Sequence, residues 1–154
     1  MSGKTGRQQR APSAKALEDA RNVFDFGLPR MLGVRVLEVS AERVTAELPV
    51  KREHFNRNGR VGGGVLMAMA DAMGAAGSVV HRPAGYRGGT IESKTNFFSA
   101  ARGPVLRGVC VPLHVGRTTS VWQTSITDAD GRMVAMVVQT QVALPAAVDR
   151  PASS

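Results

Sequence analysis

Within residues 61–80, VGGGVLMAMADAMGAAGSVV, Asp71 is the one charged side chain among apolar and small residues. Keeping a carboxylate ionised in such surroundings is costly unless it finds partners or does work. Seven residues earlier stands Gly64, and at 100° per residue both fall on nearly the same helix face. The triplet Gly62, Gly63, Gly64 fits a helix start, where unpaired N–H groups and the positive end of the helix dipole hold a developing anion. An anion-holding helix start followed two turns on by a carboxylate base suits hydrolysis of an acyl bond. From pattern alone two alternatives stay open: an Asp that bonds a neighbouring hydroxyl or a partner chain and only fixes packing, and a glycine triplet that only marks a tight packing point. The triplet fits neither the dinucleotide fingerprint nor the P-loop.

Other reactive residue types carry bland expectations. His54 lies in a charged loop and reads as solvated, His81 as interacting with the carboxyl end of its helix, and His114 as a strand residue without a partner at metal-ligand spacing. Cys110 sits in VLRGVCVPLHV and reads as a small core residue. Thr90, Glu92 and Lys94 should share one strand face by period two. Asn96, Phe97 and Phe98 are expected to cover the core, with lining of an acyl pocket as the other choice. Met67, Met69 and Met73 read as packing. Each arginine near a loop, Arg57 and Arg60 among them, reads as surface charge.

The elements that must position these residues follow from periodicity. Residues 14–27 place Leu17, Ala20, Val23 (or Phe24) and Phe26 near helical spacing behind Ser13 as a candidate N-cap, and the helix is expected to end about Gly27. Alternation predicts a hairpin over 34–39 and 43–50. Residues 51–60 are too rich in charge, Asn and Gly for an element. A helix apolar all round over 61–80 must be enclosed by protein; its length would also suit a membrane span, which the glycines and the mid-segment Asp71 oppose. Four strands then follow at 89–98, 104–115, 117–127 and 132–143, with turns at 102–103, near 116 and at 128–131. Consecutive strands without helices between them predict an antiparallel sheet in one α+β domain.

The 154 residues suit one domain, expected over 14–144. Twenty Lys and Arg against 12 Asp and Glu give a net charge of +8, and Lys4, Arg7, Arg10 and Lys15 place half of it in the first fifteen residues. Residues 1–13 are therefore expected as a disordered basic tail and 145–154 as a flexible one. No apolar stretch follows the basic start as a secretory signal would require. One cysteine cannot form an internal disulfide, so a reducing, cytoplasmic location is expected. Aromatic residues are only 5% of the chain, and no RNA-binding or helix-turn-helix motif occurs, so nucleic acid is not an expected partner.

The run HFNRNGRVGGGVLMAMADAMG resembles the signature of hotdog-fold acyl-CoA thioesterases of the phenylacetate-degradation (PaaI-like) type. There an Asn and a Gly precede His-Gly-Gly, and an apolar helix carries an Asp. Asn56, Gly59, Gly63, Gly64 and Asp71 match that spacing without a gap. GGTIESKTNFFSAARG is similar to the family's strand and turn, and the likeness spans about residues 27–144. The resemblance implies a hotdog fold, a curved antiparallel sheet wrapped round one long central helix. It implies hydrolysis of an acyl-CoA to free acid and coenzyme A; no cofactor is expected, and three dispersed His and one Cys make a zinc site unexpected. Asp71 would be general base on water, or nucleophile. Gly63 would offer the N–H that polarises the thioester carbonyl, Asn56 a loop amide holding carbonyl or water, and Thr90 a water-orienting hydroxyl. It further implies a homodimer or homotetramer with the site shared between subunits. Gly62 stands where the family usually has His, which raises a second reading: a catalytically weak acyl-CoA-binding or regulatory hotdog protein. A hotdog hydratase would need a His on the central helix, and none lies between Val61 and Val80.

Overall fold

The structure is a computed structural model that describes residues 11–146; most of each expected tail, residues 1–10 and 147–154, lies outside that range. Helix α1 (Ala14–Asn22) starts where Ser13 accepts a hydrogen bond from the Ala16 N–H at 3.1 Å, the capping that satisfies an otherwise unpaired donor. After a 3-10 turn at Val23–Asp25 comes a helix the sequence pattern does not suggest, α2 (Gly27–Leu32). Pro29 sits in its first turn, where the missing N–H is no loss. Gly33, at φ +80°, closes it by donating its N–H to the carbonyls of Pro29 and Arg30.

Strands β1 (Arg35–Val39) and β2 (Val44–Pro49) form the expected hairpin, and a short 3-10 turn, Arg52–His54, interrupts the following loop. The central helix α3 (Gly63–His81) leads to β3 (Tyr86–Phe97), β4 (Val105–Val115), β5 (Thr119–Thr127) and β6 (Met133–Pro145). All six strands make one antiparallel sheet in the order β1-β2-β4-β5-β6-β3. The chain leaves β2, runs through α3 across the sheet, and returns as the far edge strand β3. Strand β6 runs to Pro145, and the Ala146 N–H reaches the Gly85 carbonyl at 2.9 Å.

α3 packs against β2, β3, β4, β5 and β6, and α1 covers it from outside the sheet; five strands touching one helix means the sheet is wrapped round it. Leu66, Met69, Met73 and Val80 meet Leu48, Leu106, Trp122 and Ile126 in the core. Each such side chain stabilises the fold by about 1.5–3 kcal/mol through the apolar area taken from water. Close approach requires glycine at two points: a Cβ on Gly77 would lie 2.6 Å from the Trp122 ring, and one on Gly74 would collide with the Gln139 side chain.

By length and hydropathy α3 passes for a membrane span, but it is the buried core helix. It is not enclosed all round, as its composition suggests: Gly64, Met67 and Asp71 form an exposed stripe.

Candidate active site

The helix start is held by the preceding loop. The Gly62 N–H donates to the His54 carbonyl at 2.8 Å, and Phe55 and Val61 pair as an isolated bridge. Gly62 is the N-cap, with extended backbone at φ −65° and ψ 139°. Among the described residues the N–H groups of Gly63 and Gly64 have no hydrogen-bond partner, so two donors are presented at the positive end of α3.

Asn56 organises the loop beside this end. Its side-chain oxygen accepts from the N–H groups of Asn58 (2.9 Å) and Arg60 (3.3 Å), and its own N–H donates to the Arg60 carbonyl at 2.8 Å. With the oxygen committed to the turn, only the Nδ2 group is free for a ligand. His54 is buried, not solvated, and its Nδ1 accepts from the Lys51 N–H at 3.1 Å. Its Nδ1 is thereby committed to the main chain, although the residue still borders the recess beside Gly62 and Gly64.

Asp71 is brought to Thr90 of β3. The Thr90 hydroxyl donates to Asp71 Oδ1 at 2.7 Å, and the Gln141 amide Nε2 donates to Thr90 Oγ1 at 2.9 Å. Gln139 Nε2 stands 3.4 Å from both Oδ1 and the main-chain oxygen of Asp71, a long contact that contributes little alone. Among the described residues Asp71 Oδ2 accepts no hydrogen bond, and the residue is exposed on the open stripe of α3. Asp71 and Gly63 lie about 12 Å apart along the helix axis at 1.5 Å per residue, with Gly63 turned roughly 80° from Asp71.

The strand face departs from simple alternation. A bulge at Ile91 breaks the register between Thr90 and Glu92, and one extra residue flips the faces. Thr90, Ser93, Thr95 and Phe97 pair with Gln141, Gln139, Val137 and Ala135, whose side chains face the helix. Glu92 and Lys94 therefore point the other way and do not share a face with Thr90.

Two apolar recesses of about 420 Å³ each flank the helix start. One is bounded by Val61, Gly63, Leu66, Phe97, Phe98 and Ala101, the other by Leu28, Leu32, Phe55, Gly62, Gly64 and Val65. Phe97 and Phe98 are more than half exposed, so they line a recess instead of covering the core. Met69 and Met73 are core residues, whereas Met67 stays on the open stripe. A larger cavity of about 750 Å³ lies at the opposite end of α3 beside His81 and Glu42, and none of Asn56, Gly63, Asp71 or Thr90 lines it.

The remaining residues are structural. His81 Nε2 sits 2.8 Å from the Ala41 carbonyl and its ring lies against Trp122, so its partner is the β1–β2 turn, not the helix end. His114 is exposed. Cys110 is fully buried, and burial pushes its thiol up to about 12, which suits a core residue and not a nucleophile. Sequence reading missed Asp128, which has no exposed surface. Burial pushes its carboxyl up, but hydrogen bonds from Arg132, from its main-chain N–H and its side chain, and from the N–H groups of Arg102 and Asp130 prevail and hold it below the usual carboxylate range. Arg132 also donates to the Ala100 carbonyl at 2.6 Å, tying the β5–β6 turn to the rim of the Phe97 recess. Gln139 and Gln141 were missed as well, although two amides spaced by two in VVQTQV already share one strand face.

A six-stranded antiparallel sheet wrapped round one long helix, with an Asp on the helix and free amides at its start, is the hotdog architecture. The family profile of the Thioesterase superfamily matches residues 58–135, and the chain belongs to that family. It is 32% identical over 116 residues to the proofreading thioesterase EntH of Cronobacter turicensis, covering 74% of this chain and 84% of that protein. It is 28% identical over 117 residues to the 1,4-dihydroxy-2-naphthoyl-CoA hydrolase of Escherichia coli, covering 76% and 86%. Among solved structures, a mutant thioesterase from Pseudomonas aeruginosa superposes with a TM-score of 0.78 at 24% identity, covering 93% of this chain and all of the other. That structural likeness speaks for the fold.

Proposed function

We propose that the protein is an acyl-CoA thioesterase of the PaaI-like type, cleaving its substrate to free acid and coenzyme A. The observation that carries this is the Asp71 carboxylate, fixed at Oδ1 by Thr90 and open at Oδ2, on a helix whose start offers unpaired N–H groups. A carboxylate that only fixed packing would have no reason to keep one oxygen free on an exposed stripe. Asp71 takes a proton from water as the water oxygen bonds the thioester carbon. The Gly63 N–H holds the oxyanion, assisted by Nδ2 of Asn56, which borders the recess beside Gly62 and Gly64. Collapse breaks the carbon–sulfur bond, and the proton on Asp71 passes to the departing thiolate. Direct attack by Asp71, followed by hydrolysis of the anhydride, uses the same groups.

A donor, a carbonyl and an attacking water bridge roughly 7 Å, short of the separation between Gly63 and Asp71 in one chain. We therefore assign each site to two copies of the chain, the carboxylate from one and the helix start from the other, within a homodimer or a pair of such dimers. The open stripe of α3 and the unpaired edge β3, with Ile91 and Phe97 exposed, supply a face for the second copy. A cytoplasmic location goes with this, where Cys110 stays reduced.

The test is release of free thiol from acetyl-, octanoyl- and benzoyl-CoA by the purified protein. Asp71→Asn and Asp71→Ala should lose about 10²–10⁴ in kcat with little change in melting temperature, since the side chain is exposed. Full activity in both variants removes the assigned role. The binding-only reading draws on Gly62 and on the buried His54, whose Nδ1 is held by the Lys51 N–H; tight acyl-CoA binding by calorimetry without turnover on any of the three would favour it.

A further inference from the structure

Strand β6 places two glutamines, Gln139 and Gln141, on its helix-facing side beside Val137 and Ala135, and both are buried. An amide in such a row is costly to bury unless it is bonded. Among the described residues, the one side-chain hydrogen bond of normal length made by either amide is Gln141 Nε2 to Thr90 Oγ1 at 2.9 Å, and it leads on through Thr90 Oγ1 to Asp71 Oδ1 at 2.7 Å.

The polarity of this chain is fixed by its members. A threonine hydroxyl has one proton to donate. Because the Gln141 NH2 group is a donor, Thr90 must accept from it. Its single proton is thereby directed at Asp71 Oδ1, which leaves Oδ2 for water. Space for the second amide is built in as well: Gly74, one turn beyond Asp71, is where a Cβ would fall 2.5 Å from Gln139 Nε2.

Resting on the assignment of Asp71 as base, we infer that Gln141 is a positioning residue for the hydrolytic reaction, acting through Thr90 to fix the rotamer of the Asp71 carboxylate. Its side chain is buried and reaches the carboxylate only through the Thr90 hydroxyl among the described residues. Its contribution must therefore vanish when the Thr90 hydroxyl is removed.

The experiment combines Gln141→Met, which keeps length and removes the amide, with Thr90→Ser and Thr90→Val, using the same three acyl-CoA thioesters. Gln141→Met should lower kcat about tenfold with KM unchanged, which converts to about 1.4 kcal/mol and is the size expected for losing one directed hydrogen bond. The same loss should appear beside Thr90→Ser, which keeps the hydroxyl, and disappear beside Thr90→Val. A Gln141→Met enzyme with normal kcat, a loss confined to KM, or an equal loss in the Thr90→Val background would overturn the inference. Asp71→Asn separates the two levels: if it is inactive while Gln141→Met is normal, only the positioning role fails, and if it is fully active, the parent assignment fails. A readout independent of turnover is the Gln141 side-chain amide resonance in ¹H–¹⁵N NMR of the full-length protein. It should move in Asp71→Asn, a residue Gln141 does not contact, and an unmoved resonance also overturns the relay.

Discussion

If each active centre draws its carboxylate and its oxyanion donor from different chains, two inactive variants should restore one another. The donor is best deleted as Gly63→Pro. Gly63 is the first residue of α3, where proline is favoured and the lost N–H was unpaired. Gly62, at φ −65° and ψ 139°, already has the backbone that a residue before proline requires. The nearest atom to a new Cβ is the tip of the Phe97 ring at 3.0 Å, a flexible end that gives way by a few tenths of an ångström. Alone, Gly63→Pro should cost about 10²–10³ in kcat, as loss of an oxyanion donor does, and Asp71→Ala about 10²–10⁴. Co-expressed at equal levels with different tags, the two chains give mixed dimers in about half of the pairs. A mixed dimer has one centre with both defects and one with neither. The mixture should therefore recover about a quarter of wild-type thiol release per chain, at least tenfold above either variant alone. If both groups came from the same chain, every centre in every pairing would carry a defect, and a mixture no more active than its parts would refute the shared site.

Gly77→Val should destabilise the fold by about 2 kcal/mol in urea unfolding, because a Cβ there meets the Trp122 ring at 2.6 Å where no room is left; an unchanged midpoint would mean that α3 does not lie on Trp122 as described. Asp128→Asn should lower the melting temperature at pH 7. Its folded-state carboxyl lies below the ordinary value, so the stabilisation is present above the unfolded value of about 3.9 and fades as pH falls through the lower folded value. The gap between variant and wild type should accordingly narrow below about pH 4, and a gap independent of pH would remove Asp128 as an ionised clamp.

The fold was legible because its signals are strong and local. Alternation marked the hairpin, unbroken apolarity marked α3, and Gly103 and Gly131, both at positive φ, sit in turns read from composition. α2 escaped because Pro29 reads as a breaker, although in the first helical turn it breaks nothing. His54 escaped because burial in a charged loop depends on what packs over it, and a loop composition is silent about that. Asp128 looked like an ordinary turn residue; its importance comes from Arg102, a separate loop, arriving within hydrogen-bond reach.

The candidate site was legible in its members and not in its arrangement, and the reason is the bulge at Ile91. Period two along TIESKTNF joins Thr90 with Glu92 and Lys94, and that grouping offers a charged ladder with Thr90 as its least reactive member. One unpaired residue reverses the phase, and no side chain in the strand announces it, because the register is set by hydrogen bonds to β6. With the phase reversed, Thr90 joins Phe97 on the helix side and meets Asp71, while Glu92 is turned away from it. Without the bulge, Thr90 and Phe97 would face opposite ways, and either the hydroxyl that holds Asp71 or the ring beside Gly63 would be missing from that side of the sheet. The irregularity therefore lets a single strand serve both the carboxylate and the recess at the helix start, which regular pairing of β3 with β6 would not do.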